Sequence, residues 1–309
     1  MSDCVVVQPI DLAGIELLRH AGLDVYEAAS PEIDDLLPHL RDARAVITRD
    51  RGFPARAIAA APCLEVIASH GTGTDRIDKD AASARGIRVI NTPGTNAPSV
   101  AEHALGLMLA CARQIPQADR ALRAGDWAFR EHAHPRELGG RSLGLVGFGR
   151  VARQLAQLAQ GLGMKVLAYS THAGDADLVA AGVLPLPDLD SLLAASDVVS
   201  LHGLPTTEPL IDAVRLARLR PDAILINTAR GALIDEAALA QALCDGRLAA
   251  AALDVFSVEP LPSDSPLFDC PNLILTPHIG GTAHEALERT AIAVARKVIE
   301  ALNLRLPEA

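Results

Sequence analysis

Short apolar runs, many of them β-branched, alternate along the chain with stretches in which apolar residues recur every three or four positions. Cys4–Val7, Ala45–Thr48, Leu64–Ala68 and Ile87–Ile90 form a first set of runs, and Leu12–His20 shows helical spacing between two of them. A second set begins at Ser142–Val146 and continues through Lys165–Tyr169, Asp197–Leu201, Ala223–Thr228, Ala250–Val255 and Asn272–Thr276. A strand–helix–strand rhythm of this kind predicts parallel sheets covered by helices on both faces. The rhythm restarts near residue 142, which predicts two α/β units in place of one long sheet.

The stretch between the two sets has its own character. Asn91-Thr92-Pro93-Gly94-Thr95-Asn96-Ala97-Pro98 is turn chemistry by composition. The spacing after it predicts one long apolar helix over Ser99–Ala124, kinked or broken at Pro116, and then an irregular segment over Gly125–Gly140. Ala283–Leu302 reads as a single amphipathic helix, expected to close the fold.

Composition narrows the functional classes. In 309 residues, half are hydrophobic but only 3% are aromatic. The core is therefore aliphatic, and a surface that stacks RNA bases on aromatic rings is not expected. The formal net charge of -10 would repel nucleic acid and anionic membrane alike. Five cysteines without C-x-x-C spacing argue against zinc ribbons and thioredoxin chemistry and for reduced thiols in the cytoplasm. Residues 1–10 carry Asp3 and no basic residue, so no secretory leader is expected, and no run approaches the roughly 20 apolar residues of a membrane span. His132 and His134 lack a third ligand nearby, so they read as part of a solvated loop and no metal is expected.

The sharpest motif is Gly144-Leu145-Val146-Gly147-Phe148-Gly149-Arg150-Val151-Ala152. It runs from a predicted strand through G-x-G-x-x-A into a predicted helix. Gly147 permits the tight turn, Gly149 lets backbone approach a pyrophosphate, and Ala152 lets helix and strand pack closely. The helix N-terminus would supply unpaired N–H groups to the phosphates. The next strand should end in an acid that binds the adenosine ribose. It ends in Ser170, with His172 as the one nearby candidate cation. The carboxylate that favours NAD over NADP is thus missing without an evident replacement.

Three further groups fall at or just beyond the ends of predicted strands. Arg230 follows Asn227-Thr228-Ala229, Glu259 follows Asp254-Val255-Phe256-Ser257-Val258, and His278 lies in Thr276-Pro277-His278-Ile279-Gly280-Gly281. Ligands of doubly wound sheets bind at that edge. An arginine can hold a carboxylate through a planar fork, and a histidine oriented by a carboxylate can exchange a proton near neutral pH.

These motifs, with His70-Gly71-Thr72-Gly73-Thr74-Asp75 and Asn91-Thr92-Pro93-Gly94 followed by Val100-Ala101-Glu102-His103, resemble the D-isomer-specific 2-hydroxyacid dehydrogenase family. That family includes D-3-phosphoglycerate dehydrogenases, hydroxypyruvate and glyoxylate reductases, and formate dehydrogenase. The resemblance implies two doubly wound parallel-sheet lobes. A Rossmann cofactor domain over residues 100–282 would be inserted in a flavodoxin-like substrate domain of residues 1–99 plus 283–309. It implies a catalytic triad of Arg230, Glu259 and His278. It implies cofactor contacts at Thr72, Gly147, Gly149, Arg150, Val151, Ser170, Gly203, Thr228, Ala229, Arg230, Asp254, His278 and Gly280. The substrate carboxylate would be held by Arg230 and the backbone of Gly71, Thr72 and Gly73.

The implied reaction is hydride transfer between NAD(P)H and a small 2-oxo acid, giving a D-2-hydroxy acid, in a cytoplasmic homodimer. NAD is the expected cofactor, with NADP usable. Two alternatives share the scaffold: an NAD(H)-sensing, corepressor-like binding module, and a formate- or phosphite-type dehydrogenase. The sequence departs from phosphoglycerate-specific members at Thr48–Gly52 and at Ser69-His70, which do not reproduce their arginines. It is also expected to lack the additional C-terminal regulatory domain of some members.

Overall fold

A computed structural model describes residues 2–305; residues 1 and 306–309, at the ends of the expected substrate domain, lie outside the described residues. The chain divides into two compact units, Met1–Asn96 with Gly281–Ala309, and Ala97–Gly280.

The first unit carries five parallel strands: β1 (Cys4–Val6), β2 (Val25–Glu27), β3 (Ala45–Thr48), β4 (Val66–Ser69) and β5 (Arg88–Asn91). Their spatial order is β2-β1-β3-β4-β5, the flavodoxin-like order. Successive side chains enter opposite cores. Cys4, Val6, Ala45, Ile47, Val66 and Ala68 pack against helices Leu12–His20 and His284–Ala301. Val5, Val46 and Ile67 pack on the other face with Leu36, Leu40, Phe53 and Ile58. Burial on both faces is why these runs are continuously apolar instead of alternating.

The second unit carries seven parallel strands: β6 (Ser142–Val146), β7 (Lys165–Tyr169), β8 (Leu184–Pro185), β9 (Val198–Leu201), β10 (Ile224–Asn227), β11 (Ala250–Leu253) and β12 (Leu273–Leu275). The order β12-β11-β10-β9-β6-β7-β8 is that of a Rossmann sheet with one added strand. It reverses direction of winding at β6, and such a switch point opens a crevice at the carboxyl ends of the strands. Leu143, Leu145, Ile224, Ile226, Ala250 and Ala252 face one core, with Ala152, Leu155 and Ala159 of the helix Arg150–Gly161. Val146, Leu225, Ala251 and Leu253 face the other.

Three features differ from the sequence expectation. Strands β2 and β8 escape the apolar-run pattern because both are short edge strands. A proline, as in β8, is tolerated only on such an edge. The long helix predicted over Ser99–Ala124 is two helices, Ala97–Arg113 and Ile115–Arg123. They join at Gln114, whose φ of 54° is left-handed. Pro116 therefore lies in the first turn of the second helix, where its missing N–H has no intrahelical partner to lose. A helical turn, Phe129–His132, interrupts the segment expected to be irregular. Among the described residues, no helix is long and apolar enough to cross a membrane, and no three His, Cys, Asp or Glu side chains form a group able to hold a metal ion.

Candidate active site

The carboxyl edge of the seven-stranded sheet gathers most of the singled-out residues. At the end of β6, Gly147 adopts φ 92°, and a Cβ there would stand 3.0 Å from the carbonyl oxygen of His202. A larger residue is thus opposed by both conformation and contact. Gly149 is the N-cap of the helix Arg150–Gly161 and brings no side-chain cap to it. A Cβ at Gly149 would meet nothing within 4 Å, so the backbone at the head of this helix is open on that side. That is a cradle suited to a phosphate. Ala152 is fully buried beneath it.

Ser170 follows β7 directly. Its Oγ accepts hydrogen bonds from the backbone N–H groups of His172 (3.2 Å) and Ala173 (3.0 Å). The residue in the acidic position therefore caps its own loop. Beyond β9, His202 precedes Gly203, and its Nε2 lies 3.0 Å from Ser200 Oγ. Burial pushes the His202 imidazole down to about 4.

The loop after β10 is set by Asn227, which is completely buried. Its amide donates to Arg230 O at 2.8 Å, and its Oδ1 accepts from Ala229 N at 3.0 Å. Arg230 Nη1 donates to Ala229 O at 2.7 Å. Gly231 lets this loop pass the next one: a Cβ there would sit 1.9 Å from the Phe256 carbonyl carbon. Thr228 is buried, and its Oγ1 has no hydrogen-bond partner among the described residues. Buried polar atoms left without partners are uncommon, and a bound ligand beside this one would account for it.

Past β11, Asp254 is 1% exposed and collects four donors. Its Oδ1 accepts from Thr276 Oγ1 at 2.6 Å and Ile279 N at 2.9 Å, and faces His103 Nε2 at 3.3 Å. Its Oδ2 accepts from Gly280 N at 2.8 Å. Burial alone would raise its pKa. The donors outweigh burial, led by His103 and then Thr276 and the two backbone N–H groups, and hold the carboxyl below its ordinary value. Asp254 thus ties the turn after β12 to the end of β11. Ser99 Oγ adds a 2.6 Å bond to Gly280 O.

On that turn His278 has φ 54°, an uncommon conformation for a residue with a side chain. Its N–H donates to Asp254 O at 2.9 Å. Its Nδ1 lies 3.0 Å from Glu259 Oε2. Glu259 Oε1 in turn accepts from Phe256 N at 2.9 Å. The Glu259 side chain is 12% exposed and that of His278 is 32% exposed. The result is a carboxylate fixed by backbone and an imidazole fixed by that carboxylate, with one face toward solvent.

Arg230, Glu259 and His278 therefore follow three adjacent strands, β10, β11 and β12. His103, Thr276, Asn227 and Ser99 were not singled out from sequence. The available signal was weak: polar residues on surfaces that are otherwise apolar and buried. In the first unit, the loop after β4 is tied inward. Ser69 Oγ donates to Gly73 O at 2.6 Å, and Gly71 N–H is shared between Ser69 O at 2.9 Å and Thr92 Oγ1 at 3.0 Å. Gly71 N–H is thus occupied within the loop, which leaves the N–H groups of Thr72 and Gly73 as its better donors.

Residues 105–280 match the family model for the D-isomer specific 2-hydroxyacid dehydrogenase NAD binding domain. The chain is 43% identical over 275 residues to a D-3-phosphoglycerate dehydrogenase of Mycobacterium bovis, covering 88% of this chain and 52% of that protein. It thus spans about half the length of that curated relative. It is 38% identical to a hydroxypyruvate reductase of Thermotoga maritima, covering 97% of this chain and 98% of that protein. A crystal structure of an NADPH-dependent glyoxylate/hydroxypyruvate reductase of Sinorhizobium meliloti, in complex with NADP and malonate, is similar at a TM-score of 0.82 and 31% identity, covering 96% of this chain and 93% of that one. With residues 105–280 matched by that family's model and a relative 38% identical along nearly its whole length, the chain belongs to the D-isomer-specific 2-hydroxyacid dehydrogenase family.

Proposed function

We propose that the protein is an NAD(P)-dependent D-2-hydroxyacid dehydrogenase that interconverts a small 2-oxo acid and its D-2-hydroxy acid. The observation that carries this reading is the 3.0 Å pairing of His278 Nδ1 with Glu259, held at the carboxyl edge of a Rossmann-ordered sheet. The nicotinamide cofactor, when bound, supplies hydride to the carbonyl carbon or accepts it from the alcohol carbon. Gly147 and Gly149 leave room for its pyrophosphate, which the N–H groups of Arg150 and Val151 would hold. Ser170 would meet the adenosine ribose. Gly203, Thr228, Ala229, Asp254 and Gly280 would line the remainder of its path.

In the reductive direction, His278 gives a proton from Nε2 to the carbonyl oxygen. In the oxidative direction, it removes the hydroxyl proton. Glu259 fixes the imidazole through Nδ1 and stabilises its protonated form. Arg230 grips the substrate carboxylate through its guanidinium fork. Asp254 holds the 278–280 turn in place.

We further infer a cytoplasmic homodimer that acts without nucleic acid or membrane. The exposed Ile115, Leu122 and Trp127 on one stretch support an apolar contact with a second copy, and light scattering reads the mass. The activity is tested by NADH and NADPH oxidation with glyoxylate, hydroxypyruvate, pyruvate and phenylpyruvate. Turnover of at least one acid, lowered by about 10²–10⁴ in His278→Ala, is expected. Silence across the panel with both cofactors rejects the reading.

A further inference from the structure

The first turn of the helix Arg150–Gly161 carries a cation to which no role has yet been given. Arg153 is exposed, and its guanidinium carbon lies 4.6 Å from the centroid of the Phe148 ring. Phe148 stands between Gly147 and Gly149 and is 4% exposed, so the ring is fixed in the apolar core and the guanidinium rests on its face. The negative face of an aromatic ring holds a cation in this way. Among the described residues, the Arg153 guanidinium forms no hydrogen bond or ion pair, so its N–H edge is free.

The pair faces the end of β7. Gly147 N donates to Tyr169 O at 2.8 Å, so the glycine turn runs alongside the step from Tyr169 to Ser170. On the helix, Arg153 and Gln160 are seven residues apart and share one face. Gln160 Nε2 donates to Ala181 O at 2.9 Å and to Gly182 O at 3.0 Å, just past the helix Asp175–Ala180. That face of Arg150–Gly161 therefore looks onto Asp175–Ala180. Two turns of helix set Arg153 about 10 Å nearer the carboxyl edge of the sheet than Gln160, level with residues 170–174, which lead into Asp175–Ala180. This loop contains no Asp or Glu. Its Ser170 Oγ accepts from His172 N and Ala173 N, which leaves the hydroxyl hydrogen to donate.

We propose, resting on the dinucleotide cofactor reading above, that Arg153 selects the cofactor: its guanidinium meets the 2′-phosphate of an NADP molecule whose adenosine ribose lies against Ser170. A guanidinium laid on an aromatic ring keeps its edge N–H groups for a two-point contact with phosphate oxygens. Ser170 adds a hydroxyl donor where a carboxylate would repel the phosphate. Asp175 and Asp177, in the first turn of the following helix, oppose the phosphate, but both are exposed and salt screens them. His172 is the weaker candidate, because its Nδ1 is paired with Thr171 Oγ1 at 2.9 Å. Arg153 precedes Ser170 by a helix and a strand, which hides it from a search along the loop itself.

Isothermal titration calorimetry of the full chain with NADP+ and with NAD+ tests this without turnover, in the parent, Arg153→Ala and Arg153→Lys. The parent should bind NADP+, and its NADP+ affinity should fall more steeply with added salt than its NAD+ affinity, because one more charge contact is screened. Arg153→Ala should weaken NADP+ binding about 10- to 100-fold, the range for losing a charge-assisted hydrogen bond, while NAD+ affinity holds. Arg153→Lys should recover part of that loss, since an ammonium keeps the charge without the planar fork. Equal losses for both cofactors in Arg153→Ala would put the guanidinium on adenine or pyrophosphate and overturn the proposal, as would an unchanged NADP+ affinity. A parent that binds NAD+ but not NADP+ would also overturn it and leave the proposed dehydrogenase activity standing. Selective loss of NADP+ in Arg153→Ala, in a protein silent across the 2-oxo acid panel, would sustain it and reject that activity.

Discussion

Replacing Asp254 by asparagine tests whether a buried anion organises the site. The carboxylate accepts from Thr276, Ile279 N and Gly280 N and faces His103. An amide offers one acceptor oxygen. Its better orientation keeps the oxygen on Thr276 and Ile279 N and turns the NH2 toward Gly280 N–H, where two donors would oppose each other. One charge-assisted hydrogen bond is lost and one buried N–H is left unmet, together about 2–4 kcal/mol at neutral pH. The Gly280 side of the turn should then shift and carry His278 with it, lowering kcat by about tenfold or more.

The sign of the pH effect is fixed by the lowered pKa of Asp254. Its folded value lies below the unfolded value of about 3.9, so its stabilisation is fully present above the unfolded pKa and is lost as pH falls through the folded one. The gap between parent and Asp254→Asn should be full at pH 7 and should narrow below about pH 4. Urea unfolding followed by circular dichroism, with kcat and KM on the best 2-oxo acid, reads both effects. A loss under about 0.5 kcal/mol, the usual range for inconsequential surface changes, together with unchanged kcat, would refute the reasoning.

Three further outcomes follow from the same geometry. His278→Ala should lower kcat by about 10²–10⁴, the usual share of general acid–base catalysis, while Glu259→Gln should cost less and displace the pH–rate profile because it keeps a side chain on Nδ1 without the charge. Arg230→Ala should impair KM and kcat together, and Arg230→Lys should restore only part, since an ammonium cannot form a planar two-point contact; full rescue by lysine would reject that contact. Ser170→Asp should keep the cap on His172 N and Ala173 N and raise the preference for NADH over NADPH about tenfold in kcat/KM, equivalent to about 1.4 kcal/mol. An unaltered cofactor ratio would mean that residue 170 does not face the ribose.

The sequence was most informative where burial is two-sided. Strands β3, β6 and β7 coincide with their apolar runs because both faces of those strands enter a core, leaving little ambiguity over length. It was least informative at the edges: β2 buries only Val25 and β8 leaves Leu184 exposed, so neither carries a continuous apolar signature. The helix junction was misplaced for a related reason. Proline is a strong breaker only inside a helix, and Gln114, with no special sequence signature, takes the left-handed turn instead. At the site, glycine spacing and strand-end position drew attention to Gly147, Arg230 and His278. Residues that act on other residues were harder to read. Asn227 orients the Arg230 loop and Thr276 holds Asp254, but each belongs to a residue type that also serves as an ordinary capping group.

Environment, more than residue type, selects among the ten histidines. Burial pushes His70 down to about 4, with the positive charge of Arg49 adding to it, and burial does the same to His202. Both are therefore neutral near pH 7 and would resist taking up a proton. His132 and His134 are exposed, and among the described residues neither meets an acid that would orient its ring. His103 does face a carboxylate, at 3.3 Å, but that carboxylate is Asp254, already engaged by a hydroxyl and two backbone N–H groups. His103 leads the donors that hold Asp254 ionised, so its ring serves that carboxylate. Glu259 is occupied differently: one oxygen accepts from Phe256 N and the other meets His278. The backbone bond fixes the carboxylate and the second oxygen serves the imidazole. His278 is also partly open to solvent and held on a strained turn at the sheet's ligand edge. The proton exchange proposed for His278 needs a fixed orientation and an open face, and the Glu259 contact and the partial exposure of the ring supply both.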